Sequence, residues 1–237
     1  SRSRIENFIQ CPACFYMQQV EGIRFPTFPG FNINEATDIL LKKDFDEYRG
    51  TKKTHPFLIE KGYEFLVPFA HEYFELWTQS LHFGAQNRLN FDHKSTNLRV
   101  GGGLDDVWLN LKTNKIHVVD YKSTSQKKDN GPIKLEDKWK LAYKRQMDLY
   151  TWILGKKGLN VDNIGFFLYC DGDRFCERKF LNKEKAIMEF KMTLISYNTN
   201  WDWIENILRD IHKTLRKSER PPHSTTCEFG KFLKDSN

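Results

Sequence analysis

The sequence predicts a mixed helix-and-strand protein, an α/β or α+β core wrapped by helices, and three observations carry that prediction. Two short apolar runs, residues 103–109 and 115–122, are separated only by Asn110-Leu111-Lys112-Thr113-Asn114, which suits a hairpin. A stretch over residues 135–154 repeats apolar residues at spacings of three and four, the period of a helix. The order along the chain is helices, meander, helix, strands, helices.

Residues 1–21 read as a short helix with Ile5, Phe8, Ile9, Phe15 and Tyr16 as its apolar set and Pro12 near a turn. Pro26, Pro29 and Gly30 mark an irregular loop over 22–31. Asn34 resembles an N-cap for a helix through Ala36, Leu40, Leu41 and Phe45. A loop over 50–56 follows, then a helical spacing of apolar residues over 69–81. Residues 88–91, 98–109 and 116–121 read as three consecutive strands, and a charged loop over 123–132 leads into the helix at 135–154. Residues 164–170 and 175–180 suggest a hairpin around Asp171-Gly172-Asp173. Two helices at 182–196 and 201–217 close the pattern, the last ended by Pro221-Pro222.

A chain of 237 residues fits one sizeable domain, and 39% apolar with 29% charged residues is the balance of a globular protein. No run approaches the ~18–20 apolar residues needed to span a bilayer, so no membrane partner is expected and a cytoplasmic location is the default. The net charge of +6 is compatible with a polyanionic partner without demanding one. Five cysteines, an odd number at scattered positions, do not suggest a secreted disulfide scaffold.

The chemistry concentrates on the two central runs. If Thr113-Asn114 is a two-residue turn, Lys112 pairs with Lys115, Asp105 lies opposite Lys122, and Val107 lies opposite Asp120. Side chains alternate along a strand, so Asp105, Asp120 and Lys122 then share one face while Asp106 points to the other. Two carboxylates suit a divalent ion of the Mg²⁺ or Mn²⁺ type, to which the backbone carbonyl of Tyr121 adds a further oxygen. Lys122 would stand beside the attacking water and a scissile phosphate, either as a base or as a charge on the developing anion. Asp-x-Lys alone is equally well a solvated strand edge with a surface pair worth about 0–1 kcal/mol. The helix at 135–154 adds a stripe of Trp139, Tyr143, Gln146, Met147, Tyr150, Ile153 and Leu154. Gln146 is its polar member, with Tyr150 one turn on; they either support the Asp/Lys cluster, touch a nucleic-acid backbone, or bond locally.

Gly103-Leu104-Asp105, then Val119-Asp120-Tyr121-Lys122-Ser123-Thr124, then Gln146-Met147-Asp148-Leu149-Tyr150 together resemble the signature of PD-(D/E)XK nucleases. The RecB-like branch, with its CRISPR-adaptation exonucleases, is the most similar group, and the opening Ser1-x-Ser3-x-Ile5-x-x-Phe8-x-x-Cys11-Pro12 resembles its N-terminus. The resemblance implies a restriction-endonuclease-like mixed central β-sheet flanked by helices, with N-terminal and C-terminal helical wraps. It implies a single domain over 1–237, with an N-terminal helical part (1–82), a catalytic sheet core (83–180) and C-terminal helices (181–237). It implies metal-dependent hydrolysis of DNA in repair, recombination or defence, alongside a helicase or other repair or defence proteins.

It further implies metal-ligand roles for Asp105 and Asp120, a catalytic lysine at Lys122, and support from Gln146 and Tyr150. The branch also places a histidine ligand on a helix before the meander. His71 is the better candidate here, since His55 precedes Pro56 in a loop. Leu104 stands where the name-giving proline would be.

Some members of the branch hold an iron–sulfur cluster on one N-terminal and three C-terminal cysteines. Here Cys227 alone stands near the C-terminus, so that cluster is not expected and residual thiols are the favoured reading. Cys11-x-x-Cys14 has the spacing of half a zinc site, for which Cys227 and His223 are the available completions. Gly101-Gly102-Gly103 lacks the ending of a phosphate loop and suits close backbone packing instead. Lys127-Lys128, Lys138-Trp139-Lys140 and Lys144-Arg145 are either phosphate contacts or solvated faces. Two further readings are a catalytically silent nucleic-acid-binding module of the same fold and a domain stabilised by a metal on the cysteines.

Overall fold

The computed structural model describes residues 1–23, 30, 32–127 and 131–235. The proposed loops at 22–31 and 123–132, and Lys128, therefore lie partly or wholly outside the described residues. Pro12 splits the N-terminal helix into α1 (Arg2–Gln10) and α2 (Pro12–Gln19), because proline cannot donate to the preceding turn but fits the first turn of a new helix. Helix α3 (Asn32–Asp46) begins two residues before the expected cap at Asn34. It turns Thr37 and Phe45 inward while Leu40 stays exposed. A short helix α4 (Pro56–Glu60) and strand β1 (Leu66–Pro68) follow, neither anticipated. The helix expected over 69–81 shrinks to one turn, α5 (Phe74–Trp77).

The expected strand at 98–109 is two strands. Strand β2 (Asn90–His93) pairs with β3 (Leu98–Gly101) in a separate two-stranded sheet, and β4 (Asp106–Asn110) begins only after the Gly101–Gly103 run. Strand β5 (Lys115–Thr124) is antiparallel to β4, and the register corrects the hairpin proposed from sequence. Asn110 pairs with Lys115 and Asp106 with Val119, two residues away from the expected alignment. The Asn110 side chain accepts from the backbone N–H of Lys112 (2.9 Å) and Thr113 (3.2 Å), and Asn114 takes a left-handed conformation (φ 55°). A four-residue loop thus replaces the two-residue turn. A slip of two preserves which face each side chain occupies.

After a 3₁₀ turn at Lys138–Lys140, helix α6 (Leu141–Lys156) makes the crossover that a parallel pair requires, from β5 to β6 (Ile164–Gly172). The hairpin expected between 164–170 and 175–180 does not form. A minor ladder of β7 (Leu181–Asn182) and β8 (Lys185–Ala186) intervenes, and β6 pairs along its length with β9 (Phe190–Asn198). Residues 190–198, which overlap the end of the expected helix at 182–196, alternate Met192 and Leu194 on one face with Ile195 and Tyr197 on the other. With both faces apolar, that strand imitates a helical composition. Helix α7 (Ile204–Leu215) matches expectation, with Ile204, Leu208 and Ile211 buried, and α8 (Glu228–Asp235) follows the Pro221-Pro222 break.

The main sheet has the order β1-β4-β5-β6-β9, mixed in direction and covered on both faces. Val107, Val118 and Phe167 pack with Met147 and Ile153 of α6 and with residues of α1 and α7. Trp108, Val119, Tyr121, Phe166 and Leu168 form the opposite core with Phe45 of α3 and Leu58 of α4. This is the mixed, helix-flanked sheet implied by the resemblance. Among the described residues no helix is long and apolar enough to cross a membrane.

One buried carboxylate organises the second core. Asp106, 0% exposed, accepts from Arg49 Nη2 (2.8 Å), Val107 N (2.7 Å), Trp108 Nε1 (3.1 Å) and Tyr121 Oη (2.7 Å). Burial pushes its pKa up while Arg49 and the tyrosine hydroxyl pull it back. Asp106→Ala strands the Arg49 guanidinium and three further donors, and should cost about 3–5 kcal/mol in urea unfolding. Tyr121→Phe, which removes one donor only, should cost about 1 kcal/mol.

Candidate active site

Asp120 is carried by the interior of β5 and is only 2% exposed. Continuing the β4–β5 register by one residue sets Asp105 beside Asp120, not opposite Lys122. Asp105 is further fixed by the Tyr121 backbone N–H, which donates to its Oδ2 at 2.8 Å. Lys122, two residues along β5, returns on the same face as Asp120. Its ammonium pairs with Asp120 Oδ2, donates to the Tyr121 carbonyl at 3.2 Å and lies 4.8 Å from the centre of the Tyr143 ring. The structure thus brings Asp105, Asp120, Lys122 and the Tyr121 carbonyl together, with Asp106 turned into the opposite core.

Helix α6 closes the cluster from above. Gln146 Nε2 donates to Asp120 Oδ1 at 2.8 Å, and Gln146 Oε1 accepts from the Arg2 guanidinium of α1. Both ends of the amide are therefore used, and the local-backbone alternative for Gln146 falls away. One turn on, buried Tyr150 takes a hydrogen bond at its oxygen from the Gly103 N–H. A Cβ on Gly102 would come within 2.6 Å of the Tyr150 hydroxyl, and one on Gly103 within 2.7 Å of the Ser80 backbone nitrogen. The glycine run is thus the close backbone packing expected of it, and it delivers Asp105 to the site. Trp139, placed on the same stripe by sequence, lies in the 3₁₀ turn and is 58% exposed.

Sequence reasoning missed Asp38 on α3. Its charge is felt by Asp120 and Lys122, and one of its oxygens is buried with no hydrogen-bond partner among the described residues. Burial pushes its pKa up to about 6, against the pull of Lys122 and with the push of Asp120. A signal was present: Asp38, Leu41 and Phe45 fall at helical spacing, so a carboxylate interrupts the inward stripe of α3. Arg2 and Tyr143 were likewise not assigned to the centre.

The charges interact strongly. Burial drives the Asp105 carboxyl well above the ordinary range, reinforced by Asp120 and opposed by Lys122 and the Tyr121 N–H. Burial disfavours the Lys122 ammonium, but Asp120 and Asp105 outweigh it and its pKa rises. Asp120 Oδ2 has no partner other than that ammonium among the described residues.

His71 is not placed at this centre. Its ring stacks on Trp77 (centroids 4.4 Å apart), its Nδ1 accepts from the Tyr73 N–H at 3.1 Å, and its charged neighbours are Glu72 and Lys157. The helix expected to carry it toward the sheet is a single later turn. His55 caps α4 through the Phe57 N–H and stacks on Phe45. Of the basic clusters, Lys140 is buried against Asp137 and the Lys134 carbonyl, and Arg145 pairs with Glu6, so neither is a free phosphate contact. Cys170 is buried in β6, whereas Cys11, Cys14 and Cys227 gather with His223 elsewhere.

No curated protein matches this chain significantly. The sequence model of the PD-(D/E)XK nuclease superfamily matches residues 47–229, from the end of the α3 region to the start of α8 and across the whole main sheet. That superfamily consists mostly of metal-dependent nucleases. The chain belongs to the PD-(D/E)XK nuclease superfamily.

Proposed function

We propose that this protein is a metal-dependent deoxyribonuclease of the RecB-like branch, hydrolysing phosphodiester bonds in DNA repair, recombination or defence. The observation that carries the reading is the convergence of Asp105, Asp120 and Lys122 at one point of the sheet, with Gln146 bonded to Asp120. A binding module needs no such set, and the net charge of +6 suits a polyanionic substrate. The N-terminal motif ending in Cys11-Pro12 supports the branch.

The donor set fits a divalent cation of the Mg²⁺ or Mn²⁺ type. The acidic groups at the centre outnumber the one ammonium among them, and an Asp38 oxygen lacks a hydrogen-bond partner. Asp105, Asp120 and the Tyr121 carbonyl would hold the ion, and Asp38 adds a third negative charge. Such an ion, when bound, supplies Lewis-acid activation of the phosphate and of water. Gln146 orients Asp120, and Tyr150 fixes the backbone that presents Asp105. Lys122 either positions a water or holds charge on the phosphate, its ammonium already aimed at the centre.

On linear single- and double-stranded DNA with Mg²⁺ or Mn²⁺, Asp120→Ala and Lys122→Ala should each lose on the order of 10²–10⁴-fold in cleavage rate. Gln146→Ala should lose less, with folding intact by circular dichroism. Wild-type cleavage no faster than the variants would refute the nuclease reading, and cleavage of RNA alone would redirect the substrate.

The raised carboxyls predict proton-linked ion binding. At about pH 6 Asp38 is partly protonated, and a bound cation favours the ionised form, so protons must leave on binding. Affinity should therefore rise as pH rises through about 6. Calorimetry in two buffers of different ionisation enthalpy should show proton release in wild type and less in Asp38→Asn.

A further inference from the structure

We propose that Cys11, Cys14, His223 and Cys227 form a structural zinc site that clasps the N-terminal helices to the C-terminal segment. The four ligand atoms lie within 4.8 Å of one another and are, among the described residues, the one such group of three or more metal-ligating side chains. His223 Nδ1 is 3.4 Å from Cys11 Sγ and 3.6 Å from both Cys14 Sγ and Cys227 Sγ, while the Cys14 and Cys227 sulfurs are 3.4 Å apart. A tetrahedron with bonds of about 2.3 Å to sulfur and 2.0 Å to nitrogen has edges of roughly 3.4–3.8 Å. These four separations match such edges, and the remaining two lie within 4.8 Å. They are too long for a disulfide, whose sulfurs lie about 2.05 Å apart. They are too short for a four-iron cube, where each thiolate extends outward from a different iron.

The surroundings are built for thiolates. Cys11 Sγ accepts backbone N–H bonds from Cys14 and from Ser224 (3.5 Å), and Cys227 Sγ accepts one from Gly230 (3.3 Å). Such donors stabilise sulfur ligands and fix their direction. A Cβ on Gly230 would lie 2.6 Å from the His223 Cβ, so glycine there lets α8 close over the imidazole. The ligands arrive as Cys-x-x-Cys where Pro12 breaks α1 from α2, and as His-x-x-x-Cys just before α8, spacings used by tetrahedral zinc. Cys11 and Cys14 lie outside the family match, which begins at residue 47. The reading of these cysteines as residual thiols is therefore replaced. On loading, three thiols would release their protons to solvent while the neutral histidine binds through Nδ1.

The test is independent of nuclease activity. The full chain, expressed with zinc and purified under reducing conditions, should carry about one zinc by mass spectrometry, and so should an Asp105→Ala/Asp120→Ala variant. Cys14→Ala should carry almost none, and His223→Cys should retain about one. Cobalt exchange into the wild type should give the intense visible bands of tetrahedral thiolate-bound cobalt. Zinc removal should lower Tm by roughly 10 °C. Zinc-free wild type, undiminished zinc in Cys14→Ala, a brown iron-containing protein, or a Cys14–Cys227 disulfide in protein kept reduced would each overturn the site. If Cys14→Ala is insoluble, the cobalt spectrum and His223→Cys decide.

Discussion

Asp120 is gripped on both oxygens, by Gln146 from α6 and by Lys122 from its own strand, and the surrounding architecture follows from that grip. A carboxylate this buried is costly unless each lone-pair direction meets a donor or a cation. Gln146 can donate to Asp120 only if its own oxygen is satisfied, and Arg2 of α1 does that. Arg2 in turn needs α1 held against α6, which the Glu6–Arg145 pair secures at 2.6 Å. One strand residue thus reaches, through two hydrogen bonds, to the first turn of the chain. The glycines before Asp105 belong to the same requirement, because α6 can come this close only where Tyr150 meets backbone without a side chain.

Neighbouring carboxylates meet opposite fates on this scaffold. Asp106 is saturated by four donors and locks Arg49, Trp108 and Tyr121 into the core behind the sheet. Asp105, one residue earlier and on the other face, shares its surroundings with Asp120 and receives one backbone donor at Oδ2. Alternation along an extended chain is sufficient to separate the two. A saturated carboxylate has no lone pairs left for chemistry, whereas one crowded by like charge favours any arriving cation. The division of labour between structure and site is thereby set by strand geometry.

The centre was legible in the sequence because strand alternation and helical spacing depend on local order, which motif residues report directly. Asp105, Asp120, Lys122, Gln146 and Tyr150 come together despite a register wrong by two residues, since an even slip leaves every side chain on its face. The parts that failed depend on long-range pairing. Strand β9 hid because both its faces are apolar, and only the open edge of β6 reveals its role. His71 was assigned to a helix that a single turn at Phe74–Trp77 replaces. Asp38 went unread because a carboxylate on a helix is ordinary until the helix is seen to pack against the strand that carries Asp120 and Lys122. Cys11, Cys14, Cys227 and His223 could be named as a set from sequence, but their meeting across more than 200 positions is a long-range contact that local spacing does not report.

Lys122 gives the centre its balance. Its ammonium contacts Asp120 and the Tyr121 carbonyl, two of the oxygens a divalent ion would want, so it acts as an internal cation in their neighbourhood. One positive charge does not offset three carboxylates, and burial, reinforced by Asp120, raises the carboxyl pKa values at Asp38 and Asp105. Protonation of either carboxyl would relieve that excess. On the proposed reading, a divalent cation would take the place of such protons and loosen the hold of Asp120 on Lys122, freeing the ammonium to turn toward an incoming phosphate. On that reading, the lysine that pairs with the carboxylates here is the group best placed to meet the substrate once they are otherwise engaged.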